Sequence, residues 1–236
     1  MATTRADVAV IAGVGPGNGA ALARRFAAAG HPVALLARSH ESLAPLEREI
    51  AGARGYPCDV GSAEDVTRTF AAIHADMGDV GVLIHNAGAG RFGGIESVTP
   101  ADFEQAWRTN AYGALLCAQQ VIPAMKAAGH GAIVYVGATA SRRGGPNSAA
   151  FAPAKAAQRA LAESMARSLW PAGIHVCLIV VDGIVDLPRT RAAMPDQPDE
   201  FFIQPAAVAD IAYQLTRQHR SAWSFEVEAR PFGERW

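Results

Sequence analysis

Short runs of β-branched and aliphatic residues alternate with longer helical patterns along the whole chain, and this alternation restricts the fold more than any other feature. "DVAVIAG", "PVALLAR", "ARGYPCDV", "VGVLIHNAG", "GAIVYVGAT", "IHVCLIVV" and "AWSFEVEAR" read as successive strands. The intervening segments carry helical spacing, as in "GAALARRFAAAG", where Leu22 and Phe26 share a face and Arg24 and Arg25 lie elsewhere on the wheel. Strands this apolar are buried on both faces, which requires helices on both sides of a parallel sheet. The sequence therefore predicts a single doubly wound α/β domain over residues 1–236, with a parallel sheet of about seven strands. Half of the residues are hydrophobic and 18% are charged, enough for one sizeable core in a chain of 236 residues.

Local signals mark several boundaries. Ser62 followed by Asp65 reads as a capping pattern opening the helix of "SAEDVTRTFAAIHADMG". Thr99 and Pro100 supply an N-cap and a first-position proline for a long helical segment through "FEQAWRTNAYGALLCAQQVIPAMKAAG". Residues 186–202, "DLPRTRAAMPDQPDEFF", are polar and proline-rich and read as the least structured stretch. They follow the carboxyl end of the sixth strand, where open α/β sheets place their ligands. The stretch is either an ordinary surface loop or a flexible lid over a substrate.

The formal net charge is −1 with no basic stripe, which argues against nucleic acid or an anionic membrane as the main partner. Cys58, Cys117 and Cys177 fall in apolar runs without CxxC spacing, so core thiols in a reducing compartment are expected rather than a metal site. The amino terminus carries no long apolar signal, and no run approaches the ~20 apolar residues of a bilayer span. A cytoplasmic protein is the expectation.

The turn after the first strand, "IAGVGPGNGAAL", holds Gly13, Gly15, Gly17 and Gly19, with Pro16 and Asn18 among them. Glycines let the backbone turn tightly and approach a pyrophosphate, while the following helix offers free N–H groups and a positive dipole end. Position between a strand and an amphipathic helix makes this a dinucleotide-binding candidate. An acidic residue at the end of the second strand would bond a ribose 2′-hydroxyl and repel a 2′-phosphate. Here "ALLARSHESL" places Ala37 and Arg38 at that point. A guanidinium suits a phosphate, and Ser39 adds a donor, so NADP(H) is favoured over NAD(H).

Taken together, these motifs resemble the short-chain dehydrogenase/reductase family over nearly the whole chain. "GVGPGNG" matches its GxxxGxG loop as Gly13, Gly17 and Gly19; "CDV" matches the adenine-side motif through Asp59 and Val60; "HNAG" matches the cofactor-lining NAG motif through Asn86, Ala87 and Gly88. Asn110 matches the asparagine of the family's catalytic tetrad, and Lys155 the lysine of YxxxK. The resemblance implies a Rossmann fold, a nicotinamide cofactor and a small carbonyl or alcohol substrate. In the reductive direction it implies hydride transfer to a carbonyl carbon. A tyrosine protonates the oxygen, a serine polarises it, and the lysine holds the ribose and lowers the tyrosine pKa. It also implies a homodimer or homotetramer through the helices around Tyr112–Met125 and Gln158–Trp170.

The departures fall on the substrate side. Phe151 stands at the tyrosine position and Ala138 at the serine position, so two hydroxyls are missing. Asp182 replaces the proline that usually follows the sixth strand, with Ile184 two residues on at the nicotinamide side. The spacing of some enoyl reductases, tyrosine seven residues before the lysine, lands on Ser148 and supplies no substitute. Candidates for a displaced acid are Thr139, Ser141, Tyr112, Ser148, Tyr135 and His85, with water relayed by Lys155 as a slower route. Three readings follow: an oxidoreductase with an altered site, a non-catalytic NADP(H)-binding sensor or partner subunit, and hydride transfer to a carbon–carbon double bond.

Overall fold

The computed structural model describes residues 7–233. The main sheet contains β1 (Val8–Ala12), β2 (Val33–Ala37), β3 (Arg54–Pro57), β4 (Val80–His85), β5 (Gly131–Val136), β6 (Ile174–Val181) and β9 (Glu226–Ala229). Their order is β3-β2-β1-β4-β5-β6-β9, and every neighbouring pair is parallel. Two shorter strands, β7 (Ile184–Val185) and β8 (Phe202–Ile203), form a separate parallel pair.

Side-chain alternation explains why both faces are covered. Val8, Val10 and Ala12 of β1 pack on one side, against Phe70 and Ile73 of α3 (Ala63–Met77), Val121 of α5 (Gly113–Ala128) and Met165 of α6 (Phe151–Leu169). Ala9 and Ile11 pack on the other, with Leu22 and Phe26 of α1 (Asn18–Ala28), Leu46 of α2 (Ala44–Glu49) and Ala212 of α8 (Pro205–Thr216). β6 repeats the pattern: Val176, Leu178 and Val180 on the first side, Cys177, Ile179 and Val181 on the second. The doubly wound parallel sheet read from the sequence is the one observed. All three cysteines are buried free thiols. No helix among the described residues is long and apolar enough to cross a membrane.

Strand order reverses at β1, with β2 and β3 to one side and β4 to the other. The loops leaving β1 and β4 therefore diverge around a crevice at their carboxyl ends, the usual ligand position of such sheets. Both predicted caps form. Ser62 Oγ accepts from the Asp65 N–H at 3.2 Å, and Thr99 with Asp102 makes a reciprocal capping box.

Two expectations need correction. The long segment after Thr99 is not one uniform helix: α4 (Pro100–Trp107) passes through a π-helical turn, Arg108–Tyr112, into α5. The Asn110 side-chain amide donates to the Ala106 carbonyl at 2.8 Å, the acceptor an α-helix would reserve for its own backbone N–H. The stretch 186–202 is also ordered. β7 leads into α7 (Pro188–Ala193), and the chain returns through β8. Arg191 forks onto both carboxylate oxygens of Asp186 at 2.7 and 2.8 Å and reaches Asp199 at 2.6 Å, while Gln204 donates to Asp186 at 2.8 Å. Proline content signalled a loop; the Asp186–Arg191 fork that organises it was invisible to a hydropathy reading.

Candidate active site

The glycine-rich turn is built against the loop after β4. Asn86 donates its backbone N–H to Ala12 O at 2.8 Å and its side-chain amide to Gly13 O at 2.7 Å. Gly13 has φ +94°, and a Cβ there would collide with the Ala87 backbone. At Gly19 a Cβ would lie 2.6 Å from Gly13 O, so these two glycines are demanded by the fold itself. Gly15 differs: a Cβ there would meet nothing within 4 Å.

α1 begins just past this turn, with Gly17 as N-cap, no side-chain cap and no acidic residue in its first turn. Its free N–H groups therefore face the crevice without a competing anion. Pro16 is exposed there, and Asn18 carries a buried Oδ1 with no partner among the described residues. Arg38 is exposed beyond β2 and makes no hydrogen bond or ion pair with any described residue. Ser39 Oγ lies 3.1 Å from Ser42 Oγ. Asp59 is exposed and accepts from the Gly61 N–H at 2.9 Å, while Val60 is buried against Gly113. Ile184 lies farther along, in β7, paired with Phe202. Open space over Gly15 and unopposed helix N–H groups fit the pyrophosphate of a dinucleotide, and the orphaned Asn18 Oδ1 is an acceptor that a hydroxyl or N–H of such a ligand could fill.

Lys155 and Asn110 converge on Gly88. A Cβ at Gly88 would lie 3.3 Å from Asn110 Oδ1 and 3.9 Å from Lys155 Nζ. Asn110 donates through Nδ2 to the Ala106 and Ala89 carbonyls, whereas its buried Oδ1 accepts from no described residue. Lys155 is 4% exposed; Nζ donates to Val136 O at 2.8 Å and to Gln158 Oε1 at 3.1 Å. Burial without a carboxylate partner pushes the ammonium down to about 7. The Phe151 ring centroid is 5.9 Å from Nζ. Phe92 from the 88–98 loop packs on Phe151 with centroids 5.2 Å apart, and a cavity of about 330 Å³ lies against Phe92, Ser97 and Asp102.

Of the other proton-bearing candidates, Thr139, Ser148 and Tyr135 already donate their hydroxyl hydrogens within the protein. Thr139 donates its hydroxyl hydrogen to Asp182, which also accepts from Arg230. Ser141 Oγ accepts from the Ala138 N–H at 3.1 Å and closes the turn after β5. Ser148 is engaged with Gly145 in both directions. Tyr135 is fully buried and donates to Ala114 O and Met165 Sδ at 3.3 Å, and burial drives its phenol pKa upward. Tyr112 stacks on Trp107 at 5.4 Å and packs against the core. His85 is wholly buried, and burial with the nearby Lys155 charge holds its pKa down to about 3, so it is neutral.

Gln158, Phe92 and Leu187 were missed from the sequence. Gln158 lies three residues after Lys155 on α6, a spacing that places both on one helix face and was the available signal. Leu187 rests on Gly17, where a Cβ would run into its methyl group; nothing in the sequence links those positions.

A family model for short chain dehydrogenases matches residues 7–198. The 3-oxoacyl-[acyl-carrier-protein] reductase MabA of Mycobacterium tuberculosis is 33% identical over 220 residues, covering 90% of this chain and 86% of that protein. The D-xylose 1-dehydrogenase of Caulobacter vibrioides is 34% identical over 175 residues, 72% of this chain and 69% of that protein. Among solved structures, a short-chain dehydrogenase from Rhodopseudomonas palustris superposes with a TM-score of 0.81 at 38% identity, covering 95% and 98% of the two chains. A metagenomic short-chain oxidoreductase in complex with NADP gives a TM-score of 0.83 at 28% identity, covering 97% and 98%. With the strand order and the glycine turn already described, these likenesses place the chain in the short-chain dehydrogenase family of oxidoreductases.

Proposed function

We propose that this protein is an NADP(H)-dependent oxidoreductase acting on a small carbonyl/alcohol pair, in which Lys155 takes over the proton handling for which its relatives use tyrosine. The observation that carries this reading is the placement of Lys155: buried, near-neutral in its titration, and next to Asn110 and Gly88 with an N–H still uncommitted. The glycine turn, Asp59, Val60, Asn86, Ala87 and Gly88 would hold the dinucleotide. Arg38 and Ser39 would take a 2′-phosphate, and Ile184 would line the nicotinamide end. A bound reduced nicotinamide supplies the hydride. Lys155 passes a proton toward the oxygen of the substrate: its N–H bond breaks, an O–H bond forms, and the nitrogen keeps the electron pair until solvent returns the proton. Asn110 Oδ1 is available to accept from a water placed between the two side chains. The Phe151 ring, its centroid 5.9 Å from Nζ, gives that side an apolar wall.

Losing a placed general acid lowers rates by about 10²–10⁴, so slow turnover is expected. Residues 186–202 form the substrate-side segment in this reading. Phe103 and Trp107, exposed on successive turns of α4, support a homodimer or homotetramer.

The test is titration of the purified protein with NADPH and NADH by nicotinamide fluorescence, followed by turnover on a panel of carbonyls. Micromolar NADPH binding, slow turnover abolished by Lys155→Met and a faster Phe151→Tyr/Ala138→Ser variant support the reading. NADPH binding without any turnover, in either protein, would establish a sensor or partner subunit instead. No binding of either nucleotide would refute both.

A further inference from the structure

We propose that Gln158, anchored by His85, is a positioning residue that fixes two of the three Lys155 N–H directions inside the protein and leaves one exchangeable position facing the site. This inference rests on the reading of Lys155 given above.

A lysine ammonium has three donors and no acceptor. At Lys155 one N–H goes to the Val136 carbonyl at 2.8 Å and a second to Gln158 Oε1 at 3.1 Å. The third remains on the side of Gly88, Asn110 Oδ1 and Phe151. When Lys155 gives up a proton, the neutral amine still has two hydrogens for its two internal acceptors. Its lone pair then points where the third hydrogen was. Proton loss and gain need no rearrangement of the interior, and only one direction is open to exchange.

Gln158 serves this purpose only in one amide orientation. Reversed, its NH₂ would face the ammonium. Lys155, which can only donate, sets the orientation, and His85 matches it: Gln158 Nε2 lies 3.2 Å from His85 Nδ1, which then accepts, and both residues are fully buried. An imidazole held neutral accepts at one ring nitrogen and carries its hydrogen on the other, here Nε2, which has no partner among the described residues. The chain therefore runs one way, from Lys155 to Gln158 to His85. Facing Lys155 are Val136 O from β5, His85 from β4, Gly88 from the loop after β4, Asn110 from the π-turn, and Phe151 and Gln158 from α6. Of these only His85 titrates, and it stays neutral above about pH 3.

The test uses a property of the whole sequence: Lys126 and Lys155 are its two lysines, and Lys126 is exposed. Protein grown with lysine labelled with ¹³C at Cε gives two side-chain resonances, one of which is the internal control. In the wild-type protein the Lys155 signal is expected to titrate near neutrality. Gln158→Met keeps the length of the side chain and removes the acceptor; the Lys155 midpoint should fall by at least about one pH unit. Gln158→Glu keeps the acceptor and adds a charge; the midpoint should rise above that of the wild type. His85→Leu frees the amide and should move the midpoint in the direction of Gln158→Met. Unchanged Lys155 midpoints in both Gln158 variants would overturn the proposal, whether or not the protein turns over. Should Gln158→Met fail to fold, the upward shift in Gln158→Glu, or its absence, decides. If Lys155 itself titrates at the ordinary lysine value of 10.5 in the wild type, it is the proton-handling role that falls.

Discussion

Replacing Lys155 by methionine should remove the rise of stability with pH that this buried ammonium contributes between about 7 and 10.5. The folded-state midpoint of Lys155 lies at about 7 against an ordinary 10.5. Between those values the unfolded chain binds more protons than the folded one, so stability rises with pH across this window and the full penalty is present below about pH 7. About three and a half pH units at ~1.4 kcal/mol each amount to about 5 kcal/mol, of which about 4 kcal/mol is recovered between about pH 6 and about pH 10. Lys155→Met also strips the donor from Val136 O and Gln158 Oε1, at about 1–3 kcal/mol apiece, but that loss is the same at every pH. The slope of the difference therefore isolates the buried ammonium. Urea unfolding of both proteins at fixed concentration, in steps across that range, should show the wild type gaining about 4 kcal/mol on the variant. A difference that stays flat would refute the argument, because it would mean that Lys155 holds its proton equally well in the folded and unfolded chains.

Two glycine variants separate fold from ligand. Gly13→Ala, at φ +94° against the Ala87 backbone, should cost more than about 2 kcal/mol in denaturant unfolding. Gly15→Ala should leave the melting temperature unchanged, because its methyl meets open space, and yet weaken NADPH binding about tenfold or more by calorimetry; unchanged affinity would remove the nucleotide from that turn. Arg38→Ala should weaken NADPH by about tenfold or more while leaving NADH within about twofold, as expected for loss of a charge-assisted contact of about 1.5–3 kcal/mol. Hydrogen bonding to Arg191, then to Gln204, holds Asp186 down to about 2, so its contribution is present above the ordinary carboxylate range and is lost as pH falls through about 2. Asp186→Asn should loosen residues 186–202 at neutral pH, read as faster tryptic cleavage after Arg189 and Arg191; an unchanged cleavage rate would show that the fork does not organise the segment.

Much of the fold was legible because it is written in short-range patterns. Apolar strands covered on both faces, the Ser62 and Thr99 caps and the glycine turn each depend on residues within a few positions of one another. The same locality explains the misreadings. Residues 186–202 looked unstructured because the Asp186–Arg191–Asp199 ion pairs depend on how the segment folds back on itself. The π-turn at Arg108–Tyr112 escaped notice because it follows from where one amide, that of Asn110, finds its acceptors in Ala106 and in Ala89 of a separate loop.

The sequence by itself determined the parallel sheet, the cofactor-type crevice and the absence of hydroxyls at positions 138 and 151, since these are statements about residue identity and period. Only the tertiary structure decided which proton-bearing groups remain to do chemistry. Thr139, Ser148 and Tyr135 all looked available along the chain, and each donates its hydroxyl hydrogen to a partner that arrives through a turn or a neighbouring element, while Ser141 closes a turn and Tyr112 stacks on Trp107. Lys155 stands apart because β5, α6 and the loop after β4 bury it together, and burial is a property of the surroundings that no residue carries in its own name.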